Sequence, residues 1–460
     1  MRLWSPPSEA TVAVGIAAAA VVSRDLFASL TPDMPLHATG RRRPALTALI
    51  LALAPAVVAQ QAPSSPQEPL PRLQGYPHEH DGDGSLWHRP HLTGDWGGWR
   101  PWLRERGLTL DVFSTTDASQ VLAGGVDRGF TLRTLVDATA AIASQPLLGY
   151  RGGTFYLDVQ WQGGDDGSLD TGDLQRYSDI DHDHDFVQVA MLWYEHAFAD
   201  DTLFVRVGKD DTNTSFQALS AVDPFVHPSF GHSPNLLAMP TYPDTAFGAQ
   251  VFWRPEGFWA GLGVYDGALQ SGVRTGEHGV RTVFGAPADL YGIAEVGGAW
   301  AGERPGRIGV GAWRLTGTLP RFDGGDDSGT NGFYALGEQV LRPGRAEDGA
   351  GEVAVFAMYG YADADLSDFE HCFGAGIAWT GPWSRRPQDK VGLGLAQGWF
   401  SRATGTTFAG RAETAIEVLY DVQVTPWCTL KPVLTWIDDP GGLAGVGDVL
   451  VLTLRTAITF

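Results

Sequence analysis

Charged and aromatic residues alternate with apolar ones in several short segments of the chain. Asp158 lies in G-T-F-Y-L-D-V-Q-W-Q, and Trp193 and Glu195 share one face of M-L-W-Y-E-H. Arg206 stands between two valines in L-F-V-R-V-G-K, and Arg133 interrupts an earlier apolar segment. Carboxylates and guanidinium groups hydrogen-bond to hydroxyls, and a flat indole ring packs against C–H groups. We therefore expect the indole of Trp193 to offer a flat apolar face and the charges to bind hydroxyl groups of a solute; the alternative is that they only pair with each other around water.

These side chains need β-strands to position them, and the last stretch of the sequence shows the pattern most fully. In D-V-L-V-L-T-L-R-T-A-I-T-F, residues 448–460, leucines at every second position up to Phe460 form one face, and Arg455 lies on the other. This is the two-residue period of a strand. In lipid an unpaired backbone N–H or C=O finds no water, so a spanning sheet must close, its last strand pairing with its first. The pattern predicts a transmembrane β-barrel.

The whole chain from residue 108 supports this fold class. The prediction is an all-β, antiparallel, up-and-down transmembrane barrel of about 16 strands, preceded by a short N-terminal helix. A charge on the lipid face costs ~2–4 kcal/mol at mid-depth, so Asp158, Glu195 and Arg206 should face the lumen. Arg133 and Asp137 on the second predicted strand should face it for the same reason. The predicted strands are 108–119, 130–143, 153–163, 186–198, 202–209, 245–254, 258–267, 290–301, 306–316, 331–341, 351–361, 371–380, 390–400, 412–424, 427–437 and 448–460.

The connections between these strands sort by length. Tight turns should lie at the periplasmic end, and the three longest gaps, 164–185, 210–244 and 268–289, should lie outside. The gap 210–244 contains Phe216 and Phe225, which are more apolar than a solvated loop requires. We expect this loop to fold into the lumen and set a constriction there. The alternative is an external loop packed on itself or on a neighbouring subunit.

The chain before the barrel has its own organisation. Met34 opens a basic stretch, and residues 45–58 are apolar and end in small residues, which is typical of a signal peptide. Trp99 and Trp102 share one face of a short helix that Gly107 can cap. Residues 1–33 are predicted to be an upstream extension that is not translated; the alternative is a genuine N-terminal extension. The other predicted segments are a signal peptide at 34–59, a disordered linker at 60–91, a short helix at 92–107 and the barrel at 108–460.

Composition narrows the classes of function. A net charge of -21 argues against a nucleic-acid partner, since phosphate binding needs basic patches. Cys372 and Cys428 could form a disulfide or remain two separate thiols, and no C-x-x-C indicates a zinc or redox site. Alternating Asp and His in residues 179–185 could bind a divalent ion; the alternative is a solvated external loop that repels anions. We predict no catalytic residue, metal or cofactor.

Four segments in order along the chain resemble the OprB-type carbohydrate-selective porins. They are L-T-G-D-W-G-G-W-R at 92–100, F-G-H-S-P-N-L at 230–236, P-D-T-A-F-G-A-Q-V-F-W-R-P at 243–255 and V-T-P-W-C-T-L-K-P-V-L-T-W-I-D-D-P-G-G at 424–442. The chain departs from the family pattern at Cys428 and at Asp438-Asp439. The resemblance implies a sixteen-stranded barrel in the bacterial outer membrane that passes monosaccharides and similar small solutes by diffusion. In such a pore we expect Trp193 to stack on a sugar ring. Glu195, Asp158 and Arg206 would bind the hydroxyls of that sugar.

The strand pattern and the resemblance together indicate the partners and the alternative functions. The expected partners are sugars, outer-membrane lipid and lipopolysaccharide, and the barrel-assembly machinery acting on the strand that ends at Phe460; a homotrimer stays open. A general diffusion porin without sugar selectivity is the main alternative. An outer-membrane barrel enzyme is less favoured, because G-x-S-x-G is absent. A secreted carbohydrate-binding β-protein should show internal repeats, and a gated transporter should carry a large plug domain ahead of the barrel.

Overall fold

The computed structural model describes residues 85–279, 287–344 and 351–460. The predicted extension, the predicted signal peptide and the linker up to residue 84 lie outside the described residues. None of the described helices is both long and apolar enough to cross a membrane.

Sixteen antiparallel strands form one closed barrel, in which each strand pairs with its neighbours in sequence and β1 pairs with β16. The predicted fold class is confirmed, and most strand bounds agree with the predicted ones to within a few residues. The strands are β1 (Leu108–Ala123), β2 (Phe130–Ala143), β3 (Gly153–Gly164), β4 (Phe186–Phe198), β5 (Leu203–Asp210), β6 (Ala246–Trp253), β7 (Phe258–Asp266), β8 (Leu290–Trp300), β9 (Gly306–Pro320), β10 (Asp326–Arg342), β11 (Glu352–Tyr361), β12 (Phe369–Thr380), β13 (Lys390–Phe400), β14 (Ala412–Thr425), β15 (Cys428–Asp438) and β16 (Val449–Thr459).

Side chains alternate between lumen and exterior along these strands. In β16, Val451 and Thr453 are buried, whereas Leu452 and Leu454 are exposed on the outer surface. Exposed aromatic residues form two outward bands near the strand ends, as the interfaces of a membrane barrel require. One band includes Trp253, Phe258, Trp300 and Trp379, and the other includes Phe130, Phe333, Trp399 and Trp436.

Short turns and long loops lie at opposite ends of the barrel, as predicted. The β4–β5, β6–β7, β8–β9 and β14–β15 turns mark the periplasmic end. The three longest connections at the other end are 165–185, 211–245 and 267–289. Short helices occur within the connections: α2 (Ser144–Leu148), α3 (Ser168–Thr171) and α4 (Thr275–His278), with single 3₁₀ turns at Thr212–Thr214, Pro228–Phe230, Ala268–Ser271 and Pro440–Gly442.

The N-terminal segment packs where the barrel closes. Its helix α1 covers Trp99–Glu105, which is shorter than the predicted 92–107, because residues 94 and 96–98 have positive φ values that no helix can contain. Gly107 has the positive φ expected of a cap. The Leu92 N–H donates to the Thr459 carbonyl at 2.8 Å. Arg100 pairs with Asp111 at 3.0 Å and bonds an oxygen of Phe460. The segment therefore fastens the first strand to the last.

Two further predictions concern Phe460 and the cysteines. The sequence places Phe460 on the same face as the leucines of β16, but Phe460 is buried in a small apolar cluster with Phe113, against which Leu92 packs. The N-terminal segment covers it there, and strand alternation alone could not show that cover. Cys372 is buried, Cys428 is half-buried, and both are free thiols.

Candidate functional site

The long connection 211–245, called the inner loop below, folds into the barrel. Phe216 and Phe225 are buried, as are most other apolar residues of the loop. The ring of Phe216 packs on Phe252 of β6 at 4.8 Å between centroids, and Phe225 meets Phe356 of β11 edge-on at 5.3 Å. The predicted inward course of this loop is correct, and the loop fills much of the lumen between these two walls.

Glutamates on the far strands hold the inner loop by its backbone. Because backbone N–H groups of a loop lack strand partners, a carboxylate on the wall can satisfy two of them at once. The acceptors lie on β8, β10 and β14, and each faces the lumen. The bonds run from Gln217 N to Glu295 at 2.8 Å, from Ala221 N to Glu338 at 2.8 Å, and from Val226 N and His227 N to Glu417 at 2.9 and 2.8 Å.

A second connection, 165–185, also turns inward and is called the lateral loop below. Glu413 of β14 accepts the N–H groups of Leu174 and Gln175 at 2.9 and 2.8 Å. Asp181 forms a buried ion pair with Arg133 of β2. Part of the acidic stretch 179–185 is therefore turned into the barrel and paired, where the sequence suggested an external loop.

Arg133 binds the lateral loop through its guanidinium group. It is 1% exposed, and beyond Asp181 it donates to the hydroxyls of Tyr177 and Thr131. The Arg133 guanidinium carbon lies 4.8 Å from the Tyr177 ring centroid. Arg133 is thus inside the barrel as predicted, and its two terminal nitrogens contact the wall and the lateral loop.

The residues Trp193, Glu195 and Arg206 form one compact cluster on β4 and β5, as predicted. Glu195 accepts from Arg206 at 3.0 Å, and Arg206 also donates to Asp210 at 3.0 Å. Tyr156 of β3 stacks on Trp193 at 5.0 Å, and the Arg206 guanidinium lies 4.1 Å from the indole centroid. Because β3 and β5 flank β4 on opposite sides, both faces of the Trp193 ring are covered.

Asp158 lies next to this cluster, with free acceptor capacity. It is buried on β3, and its Oδ1 has no hydrogen-bond partner among the described residues. Asp137 on β2 is similar: Gln160 donates to its Oδ1 at 2.8 Å, while its Oδ2 has no partner there. These two oxygens could accept hydrogen bonds from a solute or water that reaches this part of the wall.

A charged cluster that the sequence did not predict lies at the closure of the barrel. Arg455 of β16 stands opposite Asp117 of β1 and donates to both of its carboxylate oxygens at 2.8 Å. The same guanidinium bonds Asp179 of the lateral loop. The charge of Arg455 on the lumen face was visible in the sequence, but its partners depend on a register between the first and last strands.

At the outer rim, a second cluster joins the lateral loop to α4. His184 bonds Asp183 at 2.7 Å and Glu277 at 2.8 Å, and Arg274 pairs with Asp183 at 3.0 Å. Burial lowers the pKa of His184, but the two carboxylate hydrogen bonds outweigh it and raise the pKa overall. Burial lowers the pKa of His182 to about 4. His182, Asp183 and His184 have the ligand spacing of a metal site, although Arg274 already neutralises the carboxylate.

A closed sixteen-stranded barrel with aromatic bands outside and loops that narrow its lumen defines the class of outer-membrane porins. The chain belongs to the OprB family of carbohydrate-selective porins, whose model matches residues 126–460. The protein is therefore a channel of the bacterial outer membrane rather than an enzyme, and it belongs to a carbohydrate-selective family.

Individual relatives agree with this assignment. Porin B of Pseudomonas aeruginosa is 22% identical over 423 residues, covering 80% of this chain and 91% of that protein. The putative porin QuiX of Acinetobacter baylyi is 23% identical over 422 residues, covering 81% and 93%. The high-pH structure of Pseudomonas putida OprB superposes with a TM-score of 0.70 at 18% identity, covering 82% of this chain and all of that one, and its low-pH structure gives 0.54 at 17%, covering 81% and 99%.

Proposed function

We propose that monosaccharides and similar small neutral solutes diffuse passively through an aperture between the inner loop, the lateral loop and the wall of β1–β5. The observation that carries this proposal is the fastening of the inner loop by Glu295, Glu338 and Glu417. A loop held by its backbone at three places keeps its position, and a fixed aperture discriminates among solutes by size and shape.

The charges near this aperture favour a neutral solute over an anion. Arg206 pairs with two carboxylates, Glu195 and Asp210. Arg455 likewise pairs with Asp117 and Asp179, so each cluster carries an excess negative charge that repels anions. The paired groups also offer donors and acceptors side by side, which suits hydroxyl groups.

The predicted site residues take defined roles in this proposal. Glu195, Arg206 and Asp158 are the hydrogen-bonding groups that we assign to sugar hydroxyls. Trp193 gives the aperture its apolar part, although stacking on a sugar requires Tyr156 or Arg206 to leave one ring face. Phe216 and Phe225 keep the inner loop packed on the walls, and Arg133 keeps the lateral loop in place.

A general diffusion porin is the second candidate, and the covered faces of Trp193 favour it. Liposome swelling with the purified protein separates the two, using glucose, a disaccharide and an amino acid of mass close to glucose. Faster swelling with glucose than with the equally small amino acid is expected for a sugar-selective channel. Rates graded by size alone would assign the protein to the general class, and no swelling with a correctly folded barrel would contradict both.

The remaining assignments are also proposals. Residues 34–59 act as a signal peptide, residues 60–91 as a linker, and the strand ending at Phe460 as the part that the barrel-assembly machinery binds. Sequencing the N-terminus of the protein recovered from outer membranes tests the first assignment, with a start near Gln60 expected. A homotrimer is tested by the mass of the detergent-solubilised protein.

A further inference from the structure

A cavity of about 270 Å³ lies between the inner loop and the wall of β9–β13, towards the periplasmic mouth. Its position follows from its lining: Pro305 belongs to a periplasmic turn, and Glu352 and Lys390 begin strands at that end. The inner loop contributes Asp223 and Pro224 from the opposite side. The cavity is therefore separate from the cluster around Trp193, which lies on β3–β5.

The lining combines a small apolar surface with charges of both signs. Ala354 and Ala378, directly opposite each other on β11 and β12, offer a flat apolar patch. Arg307 pairs with Glu338 at 2.7 Å, and Lys390 pairs with Asp223. These two pairs are balanced, and Glu352 adds one carboxylate to the lining, so an anion entering the cavity would gain no uncompensated partner.

One polar atom at this cavity lacks a partner. Arg307 is 4% exposed; its Nε donates to Glu338 and its Nη2 to the Ala218 carbonyl. Its Nη1 is buried and finds no hydrogen-bond acceptor among the described residues. A buried N–H donor without an acceptor is unfavourable. The nitrogen has almost no accessible surface in this conformation, so a hydroxyl oxygen in the cavity would reach it after a shift of the Arg307 side chain.

We propose that this cavity is a second sugar-binding subsite, which takes a single neutral pyranose ring on the periplasmic side of the inner loop. Sugars present hydroxyls at their rim and C–H groups on their faces, matching the paired charges and the alanine patch. The volume is slightly below the roughly 300–1,000 Å³ of pockets for drug-sized ligands, which suits one ring rather than two. The subsite rests on the proposed passage of sugars and would hold the solute after it passes the loop.

Protection of an introduced thiol tests the subsite. In a Cys428→Ser background, Ala354→Cys is labelled with a small methanethiosulfonate reagent in detergent, with increasing glucose. At ten times the half-saturating concentration, mass action predicts that labelling slows about elevenfold. Thr429→Cys, on β15 at the same end but outside the cavity lining, is the matched control and should label at a constant rate. Ala378→Cys replaces Ala354→Cys if the latter does not fold.

The outcomes separate this subsite from the proposed function. Constant labelling at both cavity positions, or equal slowing at Thr429→Cys, overturns the subsite even when the wild-type protein passes glucose in liposomes. Stronger protection by gluconate than by glucose overturns the assignment to neutral sugars. Saturable protection in a protein that does not pass glucose would retain the subsite and contradict the proposed function.

Discussion

The two sides of the lumen hold their loops by different chemistry. On the seam wall, from β16 across the closure to β5, arginines pair with carboxylates, as in Arg455 with Asp117 and Arg133 with Asp181. On the far wall, β8 to β14, glutamates such as Glu295 and Glu417 accept backbone N–H groups of the loops. The far wall adds an ion pair to the inner loop from Lys390 to Asp223. On the far wall, the attachment of the loop depends mainly on the path of the loop backbone. On the seam wall, it depends mainly on which charged side chains lie next to each other.

The two kinds of loop attachment also differ in the free energy that is lost when one partner is removed. A buried ion pair costs desolvation on both partners, and removing one partner leaves an unpaired buried charge, which costs ~3–5 kcal/mol. A carboxylate that binds loop amides leaves N–H groups unsatisfied when it is removed, at about 1–3 kcal/mol for each. We therefore expect substitutions on the seam wall to affect the barrel itself and those on the far wall to affect the position of the inner loop.

Arg455→Met should give the largest effect, because it leaves Asp117 buried and unpaired between the first and last strands. We expect a loss of ~3–5 kcal/mol in the free energy of unfolding. The measurement is the temperature at which the folded band disappears in heat-modifiability gels. Arg314→Met is the matched control, since Arg314 is exposed on the outer face and hydrogen-bonds Asn331. An equal shift in both variants would refute the role of the seam pair.

Glu417→Ala should release the middle of the inner loop, because Val226 and His227 lose their acceptors. The two unsatisfied N–H groups cost about 2–6 kcal/mol together if the loop stays in place, so the loop should move instead. Single-channel conductance should rise, and a disaccharide should pass more nearly as fast as glucose. Glu370→Ala, at a half-exposed glutamate, serves as the control. Unchanged conductance and size discrimination in Glu417→Ala would contradict this account of the far wall.

Arg206→Ala tests whether the seam wall also contacts the solute. Each hydrogen bond from Arg206 to a sugar hydroxyl is worth ~0.5–1.5 kcal/mol, so glucose flux should change by up to about tenfold, which is more than the change in salt conductance. Arg206→Lys keeps the positive charge near Glu195, so its glucose flux should lie between that of the wild type and that of Arg206→Ala. Parallel changes in sugar flux and salt conductance would show that Arg206 only shapes the lumen.

The smallest expected effect concerns the rim contact between the lateral loop and α4. The pKa of His184 is raised above its usual 6.5, so the protonated side chain contributes its contact with Glu277 fully below pH 6.5. That contribution is lost as the pH rises through the raised pKa. Limited proteolysis at the rim should accelerate over this range, and His184→Gln should abolish the pH dependence. A rate that is flat with pH in the wild type would exclude this coupling.

The sequence predicted the fold well, and the site only in part. Alternation determined the strands and the lumen-facing positions, because lipid imposes a two-residue period on every strand. Arg206 and Glu195 were found together because they lie on adjacent strands joined by a tight turn. The link from Arg455 to Asp117 was not predictable, since it depends on the register at closure.

The sequence did not predict, for another reason, that glutamates hold the loops by their backbone N–H groups. Glu413 and Glu417 stand four residues apart on one face of β14, so their lumen position was readable. A carboxylate facing a water-filled lumen needs no partner, and only the path of the loops shows that these two are buried. Asp179 and Asp181 were misplaced because the same loop path turns them away from solvent.

The pair between Arg455 and Asp117 also has a consequence for the order of assembly. The two residues lie on the last and first strands, which meet only when the barrel closes. Arg455 also binds Asp179, so this anchor of the lateral loop does not exist in any open intermediate. The step that completes the wall is therefore the same step that completes the narrowing of the channel, and a barrel still open at its seam lacks the anchor that sets its permeability.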